Sequence, residues 1–230
     1  MTHQSLDVLY EDNHLLAVVK PAGLATMGVA PDRPSLLAEA KEYLRRRYHK
    51  PGNVYLGVVS RLDAPVTGIV LLARTSKAAA RLNEQFRTRA VEKIYWALVE
   101  GHPRPAADRS IDWLVSDARH RRVSRAAPEA PGAQRAELEY RELCRVGPRS
   151  LLEVTLVTGR KHQIRVQLAL RGHPVAGDRK YGSPTAFEQG IALHARRLVF
   201  DHPVRHEPIA LEAPLPRSWQ QLGLRGMGGL

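Results

Sequence analysis

One aspartate stands where it could do chemistry. Asp63 follows Arg61 and precedes Pro65 and Gly68, in a short stretch between two apolar segments. A carboxylate held by a rigid sheet at the lip of a cleft can act as a nucleophile or as a general base. The same residue types can also organise a turn, because an aspartate side chain accepts hydrogen bonds from nearby backbone N–H groups. These residues alone leave both interpretations open.

Other motifs that could bind a metal or a phosphate fail on their residue types. The single cysteine, Cys144, excludes an internal disulfide framework and any site with several cysteine ligands. His202 and His206 are four residues apart, but no third ligand is close in sequence, so we expect two surface histidines. Residues 172–177 have the glycine spacing of a phosphate loop, but Asp178 stands where that loop requires lysine. The sequence therefore predicts no metal site and no cofactor.

The elements that must position Asp63 are predicted from hydrophobic periodicity. Apolar stretches on either side of Glu11-Asp12-Asn13 indicate a strand, a turn and a strand. Ser35 and Thr75 can each cap the N-terminus of a helix. Strands and helices are mixed without strict βαβ alternation, which favours the α+β class. Further strands are predicted at residues 54–59, 69–73, 94–99, 136–140, 152–156 and 193–200, helices at 35–47, 75–86 and 161–170, and a loop or hairpin at 102–134.

The charge of the chain indicates a polyanionic partner. The 230 residues include 35 lysines and arginines but only 23 aspartates and glutamates, a formal net charge of +12. Arginines far outnumber lysines, and guanidinium groups grip phosphate and stack on bases, which favours nucleic acid. No apolar run approaches the roughly 20 residues that a membrane span requires, and no secretory signal is visible. We therefore expect a cytoplasmic protein that binds RNA or DNA and no membrane.

Segments along most of the chain resemble, in the same order, those of the RluA-type RNA pseudouridine synthase family. LYEDNHLLAVVKPAGL (residues 9–24) is similar to the family's opening strand pair, and SRLDAPVTGIVLLART (residues 60–75) resembles its Arg-Leu-Asp segment. KIYWALVEG (residues 93–101), VTGRKHQIRVQLALRGHPVAGDRKYG (residues 157–182) and LHARRLVF (residues 193–200) are similar to later segments. The resemblance implies a cofactor-free isomerase that converts uridine to pseudouridine in structured RNA, either tRNA or rRNA.

The resemblance also implies the fold and the domain organisation. It predicts an α+β fold in which a mixed, largely antiparallel central sheet is flanked by helices and contains a central catalytic cleft. Residues 1–230 would form a single catalytic domain, with no separate S4 RNA-binding domain, and the protein would act as a monomer.

Roles for individual residues follow from the same resemblance. Asp63 corresponds to the catalytic aspartate, Tyr95 would face the flipped uracil ring, and Arg165 would pair with the aspartate. A nearby cationic group keeps a carboxyl ionised by lowering its pKa. The residues that would bind RNA are Arg61, which would fill the gap left by the extruded base, Lys93, Lys161 and His162.

Three departures from the family pattern surround these residues. Ser60 stands where the family usually has histidine, Val66 and Thr67 where it has threonine and serine, and Lys161 at a position often held by threonine or serine. None removes the aspartate, the tyrosine or the arginine. We expect them to alter the surroundings of Asp63 and the choice of substrate, for which the basic residues 116–134 are a candidate clamp.

Two other functional classes compete with the enzyme. The same scaffold could serve a non-catalytic RNA-binding or ribosome-assembly protein, which the charge supports equally. The presence of Asp63, Tyr95 and Arg165 together favours the enzyme. Membrane-surface binding is disfavoured because no basic amphipathic helix with aromatic anchors is present.

Overall fold

A computed structural model of the chain describes residues 6–30, 32–220 and 222. They group into two compact units, one made of the described residues of 1–91 and 195–214, the other of the described residues of 92–194 and 215–230. That all 230 residues act as a single domain stays a prediction. The strands are β1 Val8–Glu11, β2 Leu15–Lys20, β3 Gly57–Val58, β4 Thr67–Ala73, β5 Glu92–Glu100, β6 Ala107–Asp117, β7 Arg122–Arg125, β8 Gln134–Val146, β9 Arg149–Leu156, β10 Leu193–Asp201 and β11 Pro208–Glu212. The helices are α1 Leu36–Arg47, α2 Ser76–Arg87, α3 Gln163–Leu170 and α4 Arg217–Gln220, with a 3-10 turn at Arg179–Tyr181.

The sheet of the first unit runs in the order β1-β2-β4-β10. β2 and β4 pair antiparallel from Leu15 opposite Ala73 to Lys20 opposite Gly68. β2 and β4 are almost completely buried, which explains why their sequences are continuous apolar runs instead of alternating ones. The register places the ends of both strands, and hence the loop that carries Asp63, next to Lys20.

Two capped helices belong to the same unit. The Ser35 hydroxyl accepts a hydrogen bond from the Ala38 N–H at the start of α1, and Thr75 does the same for Ala78 at the start of α2. Both predicted caps are confirmed. The apolar face of α2 packs with β2, β4 and β11 in a core that includes Leu71, Leu82 and Phe200.

The sheet of the second unit runs in the order β5-β9-β8-β6-β7, and each neighbouring pair is antiparallel. β6 and β7 form a hairpin, so the hairpin alternative for residues 102–134 is confirmed. A small apolar core of Leu114, Val123, Ala136, Val166 and Tyr181 joins this hairpin and β8 to α3 and the 3-10 turn.

Three sequence predictions differ from the structure. Residues 54–59 were predicted as a strand, but only β3 pairs with the end of β4; Val54 and Leu56 are buried without a ladder partner, which mimics strand alternation. α3 begins at Gln163 and not at residue 161, because His162 has a left-handed backbone conformation, φ 53°. His202 is fully buried and bonds to Asp12, so the prediction of a surface histidine was wrong.

Along the described ranges, every helix is too short or too polar to span a membrane.

Candidate active site

The loop that carries Asp63 is fastened on both sides of the aspartate. On one side, the Thr26 hydroxyl donates to the Leu62 carbonyl (2.9 Å) and accepts from the Leu62 N–H (3.1 Å). On the other side, the Gly23 N–H donates to the Ala64 carbonyl (2.8 Å). Leu62 is buried, whereas Asp63 is half-buried. The neighbours of Asp63 are thus fixed to the segment after β2, and its own carboxylate keeps partial access to solvent.

Lys20 lies beneath this loop and is fully buried. Its Nζ donates hydrogen bonds to the carbonyls of Pro21 (2.8 Å), Leu24 (2.8 Å) and Ala64 (3.0 Å). Burial lowers the pKa of Lys20 to about 8, against which the negative charge of Asp63 acts to raise it. A buried ammonium therefore ties the end of β2 to the aspartate loop. Lys20 was not among the residues predicted from sequence to belong to the site.

Arg61 and Ser60 precede Asp63 and differ in their surroundings. The Arg61 side chain is exposed and makes no hydrogen bond or ion pair within the described ranges. Ser60 Oγ instead accepts a hydrogen bond from the Leu71 N–H (2.9 Å). Ser60, which stands where the family usually has histidine, thus satisfies a backbone N–H group of β4. The exposed Arg61 side chain is accessible to a ligand.

Tyr95 and Lys93 lie on β5, in the second unit. Tyr95 is half-buried and lies opposite Val154 of β9, as the second of seven antiparallel residue pairs. Lys93 is buried. This burial limits any contact of Lys93 with RNA to the small exposed part of its side chain.

Arg165 is held by a carboxylate of its own unit. Its Nε donates to Asp178 Oδ2 (2.6 Å) and its Nη2 to Asp178 Oδ1 (2.9 Å), a bidentate pair in which both side chains are about 95% or more buried. The guanidinium carbon also lies 5.0 Å from the centre of the Tyr181 ring, within the range of a cation–π contact. From sequence, Asp178 serves only to exclude a phosphate loop; its pairing with Arg165 follows the general rule that arginine is almost never fully buried without a partner. The predicted pair of Arg165 with Asp63 stays a prediction.

Polar side chains of α3 fix the helix that carries Arg165. Gln163 Nε2 donates to the Glu137 carbonyl (3.0 Å), and Gln163 Oε1 accepts from the Thr158 hydroxyl (2.7 Å). One turn later, Gln167 Nε2 donates to Asp112 Oδ2 (2.8 Å). These bonds are buried, and they tie one face of α3 to β6 and β8.

The start of α3 meets the basic hairpin through Tyr181. The Tyr181 hydroxyl lies 2.6 Å from His162 Nδ1 and accepts from the Val123 N–H of β7 (3.0 Å). The Arg122 guanidinium carbon lies 5.4 Å from the centre of the same ring. Lys161, next to His162, is exposed and has no side-chain partner among the residues that the structure describes.

The geometry thus offers a carboxylate on a fixed loop, an exposed arginine two residues before it, and, in the other unit, a fixed arginine beside a basic hairpin. Across the described residues, no group of three or more histidine, cysteine, aspartate or glutamate side chains could hold a metal ion. Acid–base or nucleophilic chemistry by Asp63 and electrostatic stabilisation by arginine are the chemical capacities of these residues.

Residues 14–170 match the family model described as RNA pseudouridylate synthase. The matched range contains Asp63, Tyr95 and Arg165, and it covers more than half of the chain.

Named relatives and a solved structure are similar to almost the whole chain. Dual-specificity RNA pseudouridine synthase RluA of Escherichia coli K12 is 34% identical, over 91% of this chain and 93% of its own. Ribosomal large subunit pseudouridine synthase D of Zymomonas mobilis is 32% identical, over 94% of this chain and 71% of its own. The solved structure of human RNA Pseudouridylate Synthase Domain Containing 4 superposes with a TM-score of 0.78 at 25% identity and covers 94% of this chain and 93% of its own.

Proposed function

Because the chain belongs to the RNA pseudouridylate synthase family and isomerises uridine in RNA to pseudouridine, we propose that Asp63 is its catalytic aspartate. The observation that carries this proposal is the fastening of the Asp63 loop by Lys20 and Thr26. A reacting carboxylate must be held in position, and a loop tied to the rest of the unit on both sides of the aspartate achieves this.

The reaction requires that the bond between uracil N1 and ribose C1′ break, that the base turn, and that C5 form the new bond to C1′. The hydrogen on C5 then leaves as a proton. Asp63 takes part as the ionised carboxylate, either by attack on the sugar or base or by abstraction of a proton. A protonated carboxyl group could do neither.

Tyr95, Arg165 and Arg61 complete the proposal. Tyr95 stacks on the extruded uracil, since stacking on an aromatic ring offsets part of the cost of taking a base out of its helix. Arg165 pairs with Asp63, as the resemblance implies. The exposed guanidinium of Arg61 stacks where the base has left, as a planar cation can.

The substrate is a structured tRNA or rRNA, bound by a monomer. The names of the Escherichia coli and Zymomonas mobilis relatives, one with dual specificity and one acting on the large ribosomal subunit, support this class. Lys161 and His162 contact the RNA backbone beside α3. Lys93, on β5, also binds the RNA, and residues 116–134 clamp it.

Release of tritium from RNA labelled at uridine C5 tests the role of Asp63, because this hydrogen leaves only when C5 takes over the bond to ribose. We expect the unaltered chain to release tritium from total cellular RNA and Asp63→Asn to release none while it keeps its affinity for RNA. Asp201→Asn, at an exposed aspartate on β10, is the matched control and should remain active. Release by the Asp63→Asn variant would show that another group performs the reaction.

A further inference from the structure

A pocket lies at the edge of the sheet in the second unit, between β6 and the chain that leaves β7. Its volume is about 470 Å³, within the range of about 300–1,000 Å³ that small-ligand sites occupy. Its lining includes Ile111, Asp112, Trp113, Arg125, Ala127 and Pro128. The last three belong to the segment 116–134 that is proposed to clamp the RNA, whereas the first three lie on β6.

Asp112 brings a hydrogen-bond acceptor to this pocket. Its Oδ2 accepts from Gln167 Nε2 (2.8 Å) and from Arg171 Nη1 (3.0 Å). Its Oδ1 lies 3.8 Å from Arg125 Nε, which is too far for a hydrogen bond. The side chain is 6% exposed and belongs to the lining of the pocket. One oxygen of a carboxylate already fixed by two donors is therefore left to accept from a ligand.

The other walls of the pocket suit a flat, partly apolar group. Trp113 is half-buried, Pro128 is exposed, and Ile111 is 48% exposed although it is a large aliphatic residue. Arg125 stands at the rim with 69% of its side chain exposed, and the same hairpin carries four more exposed arginines, Arg109, Arg119, Arg121 and Arg122. A ligand with a planar face, a donor on its edge and an anionic group matches all of these features.

We propose that this pocket binds an unpaired nucleotide of the substrate RNA, separate from the uridine that is isomerised, and selects guanine. The proposal rests on the proposed function, since it assumes that structured RNA is the substrate. The base lies against Trp113 and Pro128, its edge donates to Asp112 Oδ1, and Arg125 meets its phosphate.

The carboxylate explains the selection. Guanine presents two neighbouring donors, N1–H and the N2 amino group, and the Asp112 Oδ1 oxygen has two lone pairs with which to accept them. Uracil presents a single N3–H between two carbonyl oxygens, which a carboxylate repels. Adenine and cytosine each offer an amino group beside a ring nitrogen that accepts, so their affinities for the pocket should lie between those of guanine and uracil.

Binding of short labelled RNAs tests this selection. We compare fluorescein-labelled octamers of sequence UUUGUUUU and UUUUUUUU by fluorescence anisotropy at one salt concentration, with the full chain. One specific contact to a base edge discriminates by about 5- to 150-fold, so the guanine octamer should bind at least about fivefold more tightly. Equal affinities for the two octamers would overturn the proposal.

A matched pair of substitutions locates the effect. Ala127→Trp fills the pocket from an exposed position and should abolish the difference between the octamers. Ala118→Trp makes the same change at an exposed alanine of the hairpin outside the pocket and should preserve it. Loss of the difference in both variants, or in neither, would contradict the assignment to this pocket.

Tritium release by the unaltered chain separates failure of this proposal from failure of the proposed function. Normal release together with equal octamer affinities overturns only the guanine pocket. Absence of release, with Asp63 intact, overturns the proposed function whichever octamer binds better.

Discussion

At the scale of single residues, Asp178 fixes the orientation of the Arg165 guanidinium group. The pair is bidentate and buried, so the guanidinium plane is fixed by two parallel hydrogen bonds. We infer that Asp178 is a positioning residue for Arg165.

Asp178→Asn should therefore lower the free energy of unfolding by about 3 kcal/mol, because loss of one partner leaves a buried charge poorly compensated. Denaturant titration measures this change. Asp117→Asn removes the carboxylate of an exposed pair with His120 and should leave stability unchanged. Equal effects of the two substitutions would show that the Arg165 pair contributes no more than a surface pair.

Lys20 is a second residue whose environment fixes a measurable property. Its pKa in the folded protein is about 8, below the ordinary value of 10.5, because burial penalises the charged form. Between these two pH values the unfolded chain keeps the lysine proton and the folded chain has lost it. Stability therefore rises with pH across this window, since the unfolded state binds more protons.

Between pH 8 and pH 10.5 we expect the free energy of unfolding of the unaltered chain to rise by about 3 kcal/mol relative to that of Lys20→Met. Denaturant titrations of both proteins at several pH values give this difference, from which the titration of all shared groups cancels. Parallel pH profiles would mean that Lys20 titrates as an ordinary exposed lysine.

At the scale of elements, the close approach of β4 to β10 explains a glycine. A Cβ atom on Gly68 would lie 2.3 Å from the Ala195 carbonyl oxygen and 2.6 Å from its nitrogen, and the backbone of Gly68 has φ 112°. Both the contact and the conformation exclude other residues. Gly68 also pairs with Lys20, so its exchange would move the strand ends that support the Asp63 loop.

Gly68→Ala should cost more than about 4 kcal/mol of stability, a loss that falls among the largest for single substitutions. Gly52→Ala is the control, because a Cβ there meets nothing within 4 Å and the residue is exposed. Thermal unfolding of the two variants measures the contrast. A folded, active Gly68→Ala protein would show that β4 can move away from β10 without harm.

At the scale of the whole molecule, the net charge of +12 predicts binding that depends strongly on salt. Each phosphate neutralised contributes about −0.7 to −0.9 to the slope of log K against log salt concentration, because condensed counterions are released. The exposed cations Arg61 and Lys161, which have no side-chain partner in the described ranges, are the best placed to add to this slope.

Lys161→Gln should make the slope shallower by about one phosphate contact, because Lys161 is proposed to contact the RNA backbone. Filter binding of one tRNA or rRNA fragment at salt concentrations between about 50 and 200 mM measures the slope. Affinity that depends on phosphate contacts falls steeply over this range. Lys77→Gln, at an exposed lysine of α2, is the control and should keep the slope. If neither substitution changes the slope, the RNA binds to another part of the protein surface.

The sequence by itself determined most of the elements of this protein and its first candidate for chemistry. Apolar runs defined β2, β4 and β10, Ser35 and Thr75 marked two helix starts, and the family resemblance pointed to the reaction. These signals are local, since the period of burial and the geometry of a cap depend on neighbours within a few residues.

Only the tertiary structure decided which distant groups meet. Lys20 reaches the Ala64 carbonyl across 44 residues, and Arg165 reaches Asp178 across 13. The pocket with Asp112 exists because the chain after β7 runs beside β6. Such contacts depend on strand register and on packing between elements, and hydrophobic periodicity carries no information about either, so neither Lys20 nor Asp178 could be assigned its partner from sequence alone.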